Sequence, residues 1–159
     1  AQAYGVEVTT VTGAQEGAPG SSTSHTFQVQ NTGNGDDTFA ISTSGSWSSS
    51  ASSTSLTLGM GDVTLVTVTH DVPAGAAHGD SDTVTLNAVG GASGSDSAGS
   101  SAGLVTGSSI TLGTVSAAYP GDSFQVSGTV TNTGNGDATY SFGISGNSEA
   151  NGVDRKSVV

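Results

Sequence analysis

Positive charge, cysteine and aromatic side chains are all scarce in this sequence. The 159 residues carry 13 Asp or Glu but only two Lys or Arg, and both basic residues, Arg155 and Lys156, belong to the last five positions. Proteins hold nucleic acid and anionic lipid through basic side chains, so both kinds of partner are disfavoured. The absence of cysteine excludes disulfides and thiolate metal sites.

Long apolar runs and helical periodicity are missing too. Hydrophobic residues make up 33% of the chain and aromatic residues 5%, and no apolar run is long enough to span a bilayer. No segment repeats its apolar residues with the period of about 3.6 that marks an amphipathic helix. Instead, Ser and Thr supply 49 residues and Gly supplies 25. These values predict a thin core built from Val, Leu, Ile and Ala. The overall composition differs from that of an ordinary cytosolic enzyme.

The Ser and Thr load favours a protein that works outside the cell. Such surfaces commonly carry O-linked sugar, whereas no Asn-x-Ser/Thr acceptor for N-linked sugar occurs. The sequence begins at Ala1 without a methionine, which fits either a trimmed chain or a mature secreted chain whose signal peptide has been removed. The expected location is extracellular or at the cell surface.

Alternating apolar residues predict about seven short strands between residues 4 and 89. Residues 63–70 form the strongest strand, and their apolar phase shifts between Leu65 and Val66, which predicts a bulge or burial on both faces. The lone Trp47, in a serine-rich run, is predicted to turn inward over the core. The fold class is therefore all-β, an immunoglobulin-like β-sandwich. The residues predicted to face inward are Val6, Val8, His25, Phe27, Val29, Phe39, Ile41, Val84, Leu86 and Ala88.

The hexapeptide Asn-Thr-Gly-Asn-Gly-Asp occurs twice, at residues 31–36 and 132–137, an offset of 101 (132 minus 31). Asn-Gly tolerates the positive φ angles of a tight type I′ reversal, and each copy lies between two alternating runs, where a hairpin or a corner turn is expected. Pro19-Gly20 returns as Pro120-Gly121 at the same offset, as do the patterns of the flanking strands. One shared register for all these features predicts an internal repeat. The turn residues are Asn31, Gly33, Asn34 and Gly35 in the first copy, and Asn132, Gly134, Asn135 and Gly136 in the second.

The repeat predicts two tandem units joined by a linker. Residues 1–89 form the first sandwich, and residues 90–103 have the Gly, Ser and Ala composition of a flexible linker. Residues 104–159 form a partial second sandwich, because Val159 corresponds to Leu58 and nothing matches residues 60–89. A half sandwich exposes an apolar face and open strand edges.

Three interpretations account for the partial second unit. The chain is cut, or its tail folds back as an atypical strand, or a strand from a neighbouring copy fills the gap by β-augmentation. A head-to-tail contact of the last kind does not close on itself and propagates as a filament. The strands proposed for pairing in trans are the N-terminal residues 1–12, with Val6, Val8 and Val11, or the tail, residues 151–159, with Val158 and Val159.

A set of motifs in residues 4–89 carries a family resemblance. The set comprises Pro19-Gly20, Phe27-x-Val29-x-Asn31-Thr32-Gly33-Asn34, Asp37-x-Phe39, Gly45-x-Trp47, Leu56-x-Leu58-x-x-Gly61, Val66-x-Val68, Val72-Pro73-Ala74-Gly75 and Asp82-x-Val84. Together they resemble the tandem immunoglobulin-like modules, of the NEW3/CARDB and DUF11 types, found on prokaryotic secreted and surface proteins. The resemblance implies a β-sandwich and a non-catalytic extracellular role, with no active site to transfer. The second unit departs from it after residue 146.

Residues that could carry chemistry have simpler structural explanations. His25, His70 and His78 share no local metal-binding spacing, so satisfied or solvated histidines are expected. A serine hydrolase needs a nucleophile elbow between a strand and a helix, and no helix is predicted to host one. Asp80 and Asp82 are the candidates for a calcium site, although turn formation explains them as well. Trp47 and Tyr119 are candidates for a weak carbohydrate contact, while Tyr140 is expected in the core.

The sequence therefore favours a non-enzymatic extracellular structural protein without a cofactor. Its sharper form is a subunit of a surface filament or pilus-like fibre, assembled from identical copies by strand exchange between immunoglobulin-like modules. The alternative is an accessory module of a larger secreted enzyme, such as a glycoside hydrolase, or of an adhesin.

Overall fold

The computed structural model describes residues 1–114 and 125–143, which belong to two compact units. The first unit is Ala1–Val105, and the second begins at Thr106. All regular structure in the described residues is β-strand, which agrees with the all-β prediction. Within those residues no helix is present that is long and apolar enough to cross a membrane.

Nine strands build the first unit and two lie in the described part of the second. In the first unit they are Val6–Thr10 (β1), Gln15–Gly17 (β2), Ser22–Asn31 (β3), Asp37–Ser44 (β4), Ser49–Ala51 (β5), Ser55–Leu58 (β6), Val63–Asp71 (β7), Ser81–Val89 (β8) and Ser93–Ala102 (β9). In the second they are Ser108–Leu112 (β10) and Gly128–Asn132 (β11).

The first unit is a sandwich of two sheets with an immunoglobulin-like strand order. One sheet has the order β1-β3-β7-β5, which corresponds to strands A, B, E and D of that fold, and β4, β8 and β9 of the other sheet correspond to C, F and G. The full order of the second sheet is β2-β9-β8-β4-β6. Every pair is antiparallel except the short pair of β2 with β9.

The core lies between the inward faces of the two sheets. Alternate residues of each strand point inward because the side-chain period of a strand is two, and their apolar side chains exclude water from one another. The residues predicted to be buried are indeed part of this core or half-buried against it. The main cluster consists of Val8, Phe27, Val29, Phe39, Ile41, Leu58, Val66, Val68, Val84, Leu86, Ala88 and Ala98.

A smaller cluster closes one end of the sandwich. It contains Val72, Ala76 and Ala102, and the half-buried Trp47 packs against it. This placement agrees with the prediction that Trp47 turns inward as a cover.

The linker predicted at residues 90–103 is wrong. Residues 93–102 form strand β9, which pairs with β8 at nine consecutive positions and with β2 at three. Backbone pairing does not depend on side-chain type, and small side chains at alternate positions still fit the core, so tertiary context overrides the composition. The inward residues are Ala98, Ser100 and Ala102, all buried.

The bulge or two-sided burial predicted in residues 63–70 is also wrong. Strand β7 pairs with β3 in one unbroken register, from Val63 opposite Gln30 to Asp71 opposite Ser22. Because the register holds, Val66 and Val68 face the core while Leu65, 61% exposed, faces solvent. The apparent phase shift reflects apolar residues on both faces of a regular strand.

In the second unit, β10 and β11 pair as β1 and β3 do. Ser108 lies opposite Asn132, just as Val6 lies opposite Asn31, and both antiparallel registers continue for five residue pairs. The repeat landmarks Pro120, Gly121 and Phe124 lie outside the described residues, as do Tyr119, Arg155, Lys156, Val158 and Val159.

Candidate functional site

The first repeated turn, residues 31–36, is held by the buried side chain of Asn31. Its Nδ2 donates to the carbonyl oxygens of Gly35 and Leu58, both at 2.9 Å, and its Oδ1 accepts the Gly33 N–H at 2.9 Å. The turn leads from β3 in one sheet to β4 in the other, so it is a corner and not a hairpin.

The type I′ geometry predicted for these turns is wrong. In the described residues, positive φ angles occur only at Gly20, Gly61 and Gly79. A type I′ turn matches the twist of two paired strands, whereas β3 and β4 do not pair. Gly33 is needed for a different reason, since a Cβ at that position would lie 2.6 Å from the carbonyl oxygen of Ala3.

The N-terminal segment binds the outside of this corner. The Asn34 N–H donates to the Ala3 carbonyl at 3.0 Å, and the Ala3 N–H donates to Asn34 Oδ1 at 2.7 Å. The Thr32 N–H donates to the Gly5 carbonyl at 3.0 Å. The first turn therefore ties the segment before β1 to the corner after β3.

The second turn, residues 132–137, has the same internal bonds. Asn132 Nδ2 donates to the Gly136 carbonyl at 2.7 Å, and the Gly134 N–H donates to Asn132 Oδ1 at 2.9 Å. The Thr133 N–H donates to the Gly107 carbonyl at 3.0 Å, which repeats the bond between Thr32 and Gly5. Both copies therefore have a structural role that explains their residue types.

The described part of the second unit differs from the first in strand pairing and in the exposure of its apolar side chains. Within the described ranges β11 pairs with β10 alone, whereas β3 carries β1 on one edge and β7 on the other. Ile110 is 64% exposed, while Val8, at the matching position of β1, is 9% exposed. By the strand period, Ile110 shares its face with the exposed Leu112 and with Val130.

Tyr140 and Phe142 extend this difference. They follow the second turn as Phe39 and Ile41 follow the first, and Phe142 is 59% exposed whereas Ile41 is 5% exposed. Tyr140 is half-buried and not in a core, and its hydroxyl donates to the Gly107 carbonyl at 3.0 Å. We call Ile110, Leu112, Val126, Val130 and Phe142 the apolar face of the second unit.

A buried polar network joins the two sheets of the first unit. The hydroxyl oxygen of Ser100 on β9 lies 2.8 Å from Nε2 of His25 on β3 and 2.9 Å from Nδ1 of His70 on β7. It lies 2.7 Å from the hydroxyl oxygen of Thr23, and His70 Nε2 lies 3.2 Å from Oδ2 of Asp82 on β8. We call these five residues the histidine network.

The network contains the residue types of a Ser-His-Asp hydrolase but not the geometry of a hydrolase active site. Ser100 is only 2% exposed, so no substrate reaches its hydroxyl, and the Trp47 ring lies 5.5 Å from the His70 ring. Ser101, in the Gly-x-Ser-x-Gly string of residues 99–103, lies in extended β9 and not at an elbow between a strand and a helix. This arrangement supports a structural role for the network.

Two pKa values in the network depart from their ordinary ranges. Burial, and then the neighbouring His70, lower the pKa of His25, although the Gly13 carbonyl opposes the shift. Burial by itself would raise the pKa of Asp82, but the backbone N–H groups of Trp47 and Thr83, with His70 and Ser46, hold it below its usual range. At neutral pH the site therefore holds a neutral His25 and a charged Asp82.

Sequence reasoning missed this network because Ser100 lay in the supposed linker. Its partners His25 and His70 were predicted on strands, and both are fully buried, but nothing in their spacing paired them. The signal that could have found Ser100 is the alternation of Ala98, Ser100 and Ala102, small residues at every second position.

The carboxylates predicted as calcium candidates bind the backbone. Asp82 Oδ2 accepts the N–H groups of Ser46 at 2.8 Å and Trp47 at 2.7 Å, and Asp80 Oδ2 accepts the Ala77 N–H at 2.8 Å. His78 is exposed on the same loop as Asp80. Across residues 1–114 and 125–143, no three such side chains group as metal ligands.

The predicted N-terminal donor is used within its own unit. Val6 and Val8 lie in β1 and pair with Asn31 and Val29 of β3, while Val11 follows the strand and is exposed. Donation of this segment to another copy would require β1 to leave β3. The other predicted donors, Val158 and Val159, lie outside the described residues.

No protein-family model and no curated protein matches the chain. Solved structures with a similar fold include the human CEP192 ASH/PapD-like domain 7, at 13% identity over 60% of this chain and 83% of that one, with a TM-score of 0.41. They include WR4, a C. elegans MSP family member, at 9% identity over 60% and 96%, with a TM-score of 0.40. A chaperone–tip adhesin complex of CFA/I fimbriae is 12% identical over 81% and 67%, with a TM-score of 0.41. Scores this low carry no argument about function.

Proposed function

We propose that this chain is a non-enzymatic structural subunit that assembles with identical copies into an extracellular fibre. A strand from one copy adds to the edge of β11 that has no partner among the described residues of the next copy, and it covers the apolar face of the second unit. The single observation that carries this proposal is the exposure of Ile110 and Phe142 at positions whose counterparts in the first unit are buried.

Within residues 106–114 and 125–143, β11 has one edge without a partner strand, and that edge has the properties of an acceptor. An unpaired strand edge presents a row of backbone N–H and C=O groups that an added strand satisfies. In the first unit that edge of β3 is occupied by β7 through nine residue pairs. A donor with alternating apolar residues, as in β7, would restore both the pairing and the core.

Charge does not oppose such a contact locally. Among residues 106–114 and 125–143 only Asp137 is charged, so a strand that approaches the apolar face desolvates no ion there. The chain as a whole has a formal net charge of −11, and copies repel one another at long range. Screening by salt weakens this repulsion, so assembly should strengthen as ionic strength rises.

The proposal includes an extracellular location and a role without catalysis. The near absence of Lys and Arg and the 49 Ser and Thr residues support an extracellular surface that carries O-linked sugar. The buried state of Ser100 supports a chain without catalysis. The resemblance to prokaryotic surface modules is consistent with this role, which is mechanical and turns over no substrate.

Sedimentation and electron microscopy of the purified chain test the proposal. We expect concentration-dependent oligomers or filaments from the wild type, and their loss in Phe142→Asp, because a carboxylate on the apolar face cannot be buried unpaired. The matched control is Leu65→Asp, which places the same charge on an exposed apolar residue of the first unit. A wild type that stays monomeric at all salt concentrations would contradict the proposal.

The alternative is an accessory module of a larger secreted enzyme or adhesin. It is favoured if the wild type is monomeric and the full reading frame encodes a catalytic or ligand-binding domain beyond residue 159. In that case the remaining chain covers the apolar face in cis.

A further inference from the structure

The histidine network lies at the C-terminal end of β9, the last strand of the first unit. That end has little strand pairing beyond β8 and little apolar contact to hold it. Strand β9 pairs with β8 along its length, but at its C-terminal end the further partner is only the three-residue strand β2. Its inward side chains are Ala98, Ser100 and Ala102, which bury little apolar surface. Ser100 is the one among them that makes side-chain hydrogen bonds to the opposite sheet.

The hydrogen bonds of the network depend on how many protons it carries. Consider first the state in which both histidines are neutral and the His70 Nε2–H faces Asp82. His70 Nδ1 then accepts a hydrogen bond from the Ser100 hydroxyl, and the His25 Nε2–H donates one to the Ser100 oxygen. A proton added to His70 reverses that bond, so that Nδ1–H donates to Ser100, while Asp82 balances the new charge. The network can therefore hold one extra proton without losing a partner.

A second proton, on His25, has only the Gly13 carbonyl to receive it, and that contact lies outside normal hydrogen-bond geometry. The two rings are 6.2 Å apart between centroids, and both are fully buried. The proton would enter at His25 Nδ1, a buried atom with no hydrogen bond of normal geometry. Two cations would then share one carboxylate in a site without solvent, and a buried unpaired charge is strongly unfavourable.

Few other groups can offset this charge. In the described part of the chain, the titratable side chains on the strands around His25 are Glu7, Glu16, His70, Asp71, Asp82 and Asp96, and of these Glu7 and Asp71 are exposed. Asp96 is bound to the Thr10 N–H at 2.6 Å, and Glu16 is exposed, with its carboxyl beside Gly103. Ser100 and Thr23 contribute only hydroxyl groups.

We propose that the histidine network is an acid-sensitive latch, which fixes the C-terminal end of β9 at neutral pH and releases it when His25 is protonated. Release moves Ser100 away from the rings, lets water reach the imidazolium ions and loosens the residues that lead into the second unit. The latch belongs to the first unit and stands independently of the proposed assembly.

The direction of the effect follows from the lowered pKa of His25. Burial, and then His70, lower that pKa in the closed state, so the open state binds the proton more readily. Opening is therefore absent above the ordinary histidine pKa of about 6.5 and increases as the pH falls below it.

Amide hydrogen exchange on the whole chain tests the latch. The Ala102 N–H donates to the Asp80 carbonyl at 2.8 Å and the Gly103 N–H to the Gly17 carbonyl at 2.9 Å, so both report the end of β9. After correction for intrinsic rates, we expect their exchange to rise at least about tenfold between about pH 7.5 and about pH 5, while Phe27 and Val66 change little.

Three variants separate the latch from general acid sensitivity. His25→Gln keeps an amide near Ser100 but cannot be protonated, so the response at Ala102 should disappear. Ser100→Ala should give fast exchange at Ala102 already at neutral pH. His78→Gln, which removes an exposed histidine, should keep the full response.

Two results would overturn the latch. One is an Ala102 amide whose protection does not change with pH in the wild type, and the other is an unchanged response in His25→Gln. If His25→Gln does not fold, an NMR titration of the wild-type His25 ring decides instead. Its midpoint must coincide with the loss of protection at Ala102, and a separate midpoint refutes the latch.

Discussion

The two units share an antiparallel strand pair and the turn that follows it, but the apolar side chains of that pair are mostly buried in the first unit and mostly exposed in the described part of the second. In both, an antiparallel strand pair ends at an Asn-Thr-Gly-Asn-Gly-Asp turn with the same internal hydrogen bonds. In the first unit β7 and the second sheet cover that pair, and Val8 is buried; in the described part of the second unit Ile110 is exposed. The comparison teaches that pairing and turn are set locally, whereas burial depends on strands far away in the sequence.

The largest expected difference concerns the core position Phe27. Phe27→Ala should cost about 3–5 kcal/mol of unfolding free energy, because it leaves a cavity among fully buried neighbours. Phe142→Ala in the second unit should cost less than about 1 kcal/mol, since that ring is already largely exposed. Urea unfolding of the chain under monomeric conditions measures both. Equal losses would show that the apolar face of the second unit is covered in solution.

The two turn asparagines should differ next. Asn31→Ala leaves the Leu58 and Gly35 carbonyls without their donor in a buried site and should cost about 2–3 kcal/mol. Asn132 makes similar bonds but is exposed, so water replaces them and Asn132→Ala should cost about 1 kcal/mol or less. Hydrogen exchange of the Gly33 and Gly134 amides reports each turn separately, and an equal loss at both turns would contradict the difference in burial.

Acid should destabilise the first unit selectively, with a smaller effect. Because the pKa of His25 is lowered on folding, the unfolded chain binds its proton first, and stability falls as the pH drops below about 6.5. The lowered pKa values of Asp82 and Asp96 add a second loss below about pH 3.9. Val126 occupies the position matching His25, so the β10–β11 amides should keep their protection between about pH 7.5 and about pH 5. Thermal unfolding across this range measures the first effect, and a flat profile would contradict it.

The smallest effect is expected on the outer face of β7. Leu65→Ala should change stability by no more than about 0.5 kcal/mol, because that side chain faces solvent, whereas Val66→Ala should cost about 2 kcal/mol. Urea midpoints of the two neighbouring variants give the comparison directly. A large loss in Leu65→Ala would mean that its face is covered by another molecule.

Most of the first sandwich could be predicted from alternation alone. His25, Phe27 and Val29 occupy one face because a strand has a period of two, and the structure buries all three. The phase shift at Leu65 misled because an exposed apolar residue on a regular strand gives the same pattern as a bulge. Only the pairing register with β3 separates the two explanations.

Strand β9 and the histidine network could not be predicted, for a shared physical reason. A strand of Ser, Gly and Ala has little preference of its own and forms because β8 supplies backbone partners. Ser100 then meets His25 and His70, which are 75 and 30 residues away along the chain. Contacts of this range come from topology, and no local spacing encodes them.

The short parallel pair of β2 with β9 has a mechanical consequence. Gln15, near the start of the chain, pairs with Ser100, near the end of the first unit, and the pair runs in one direction through Gly17 and Ala102. In the proposed fibre, tension along the first unit pulls β2 and β9 in opposite directions along their own axes. The ladder is then loaded in shear, and its hydrogen bonds must fail together, whereas an antiparallel pair pulled at adjacent ends unzips one bond at a time. A unit stretched this way would resist tension better than its modest core suggests, and a lower rupture force for Glu16→Pro in single-molecule stretching would measure that contribution.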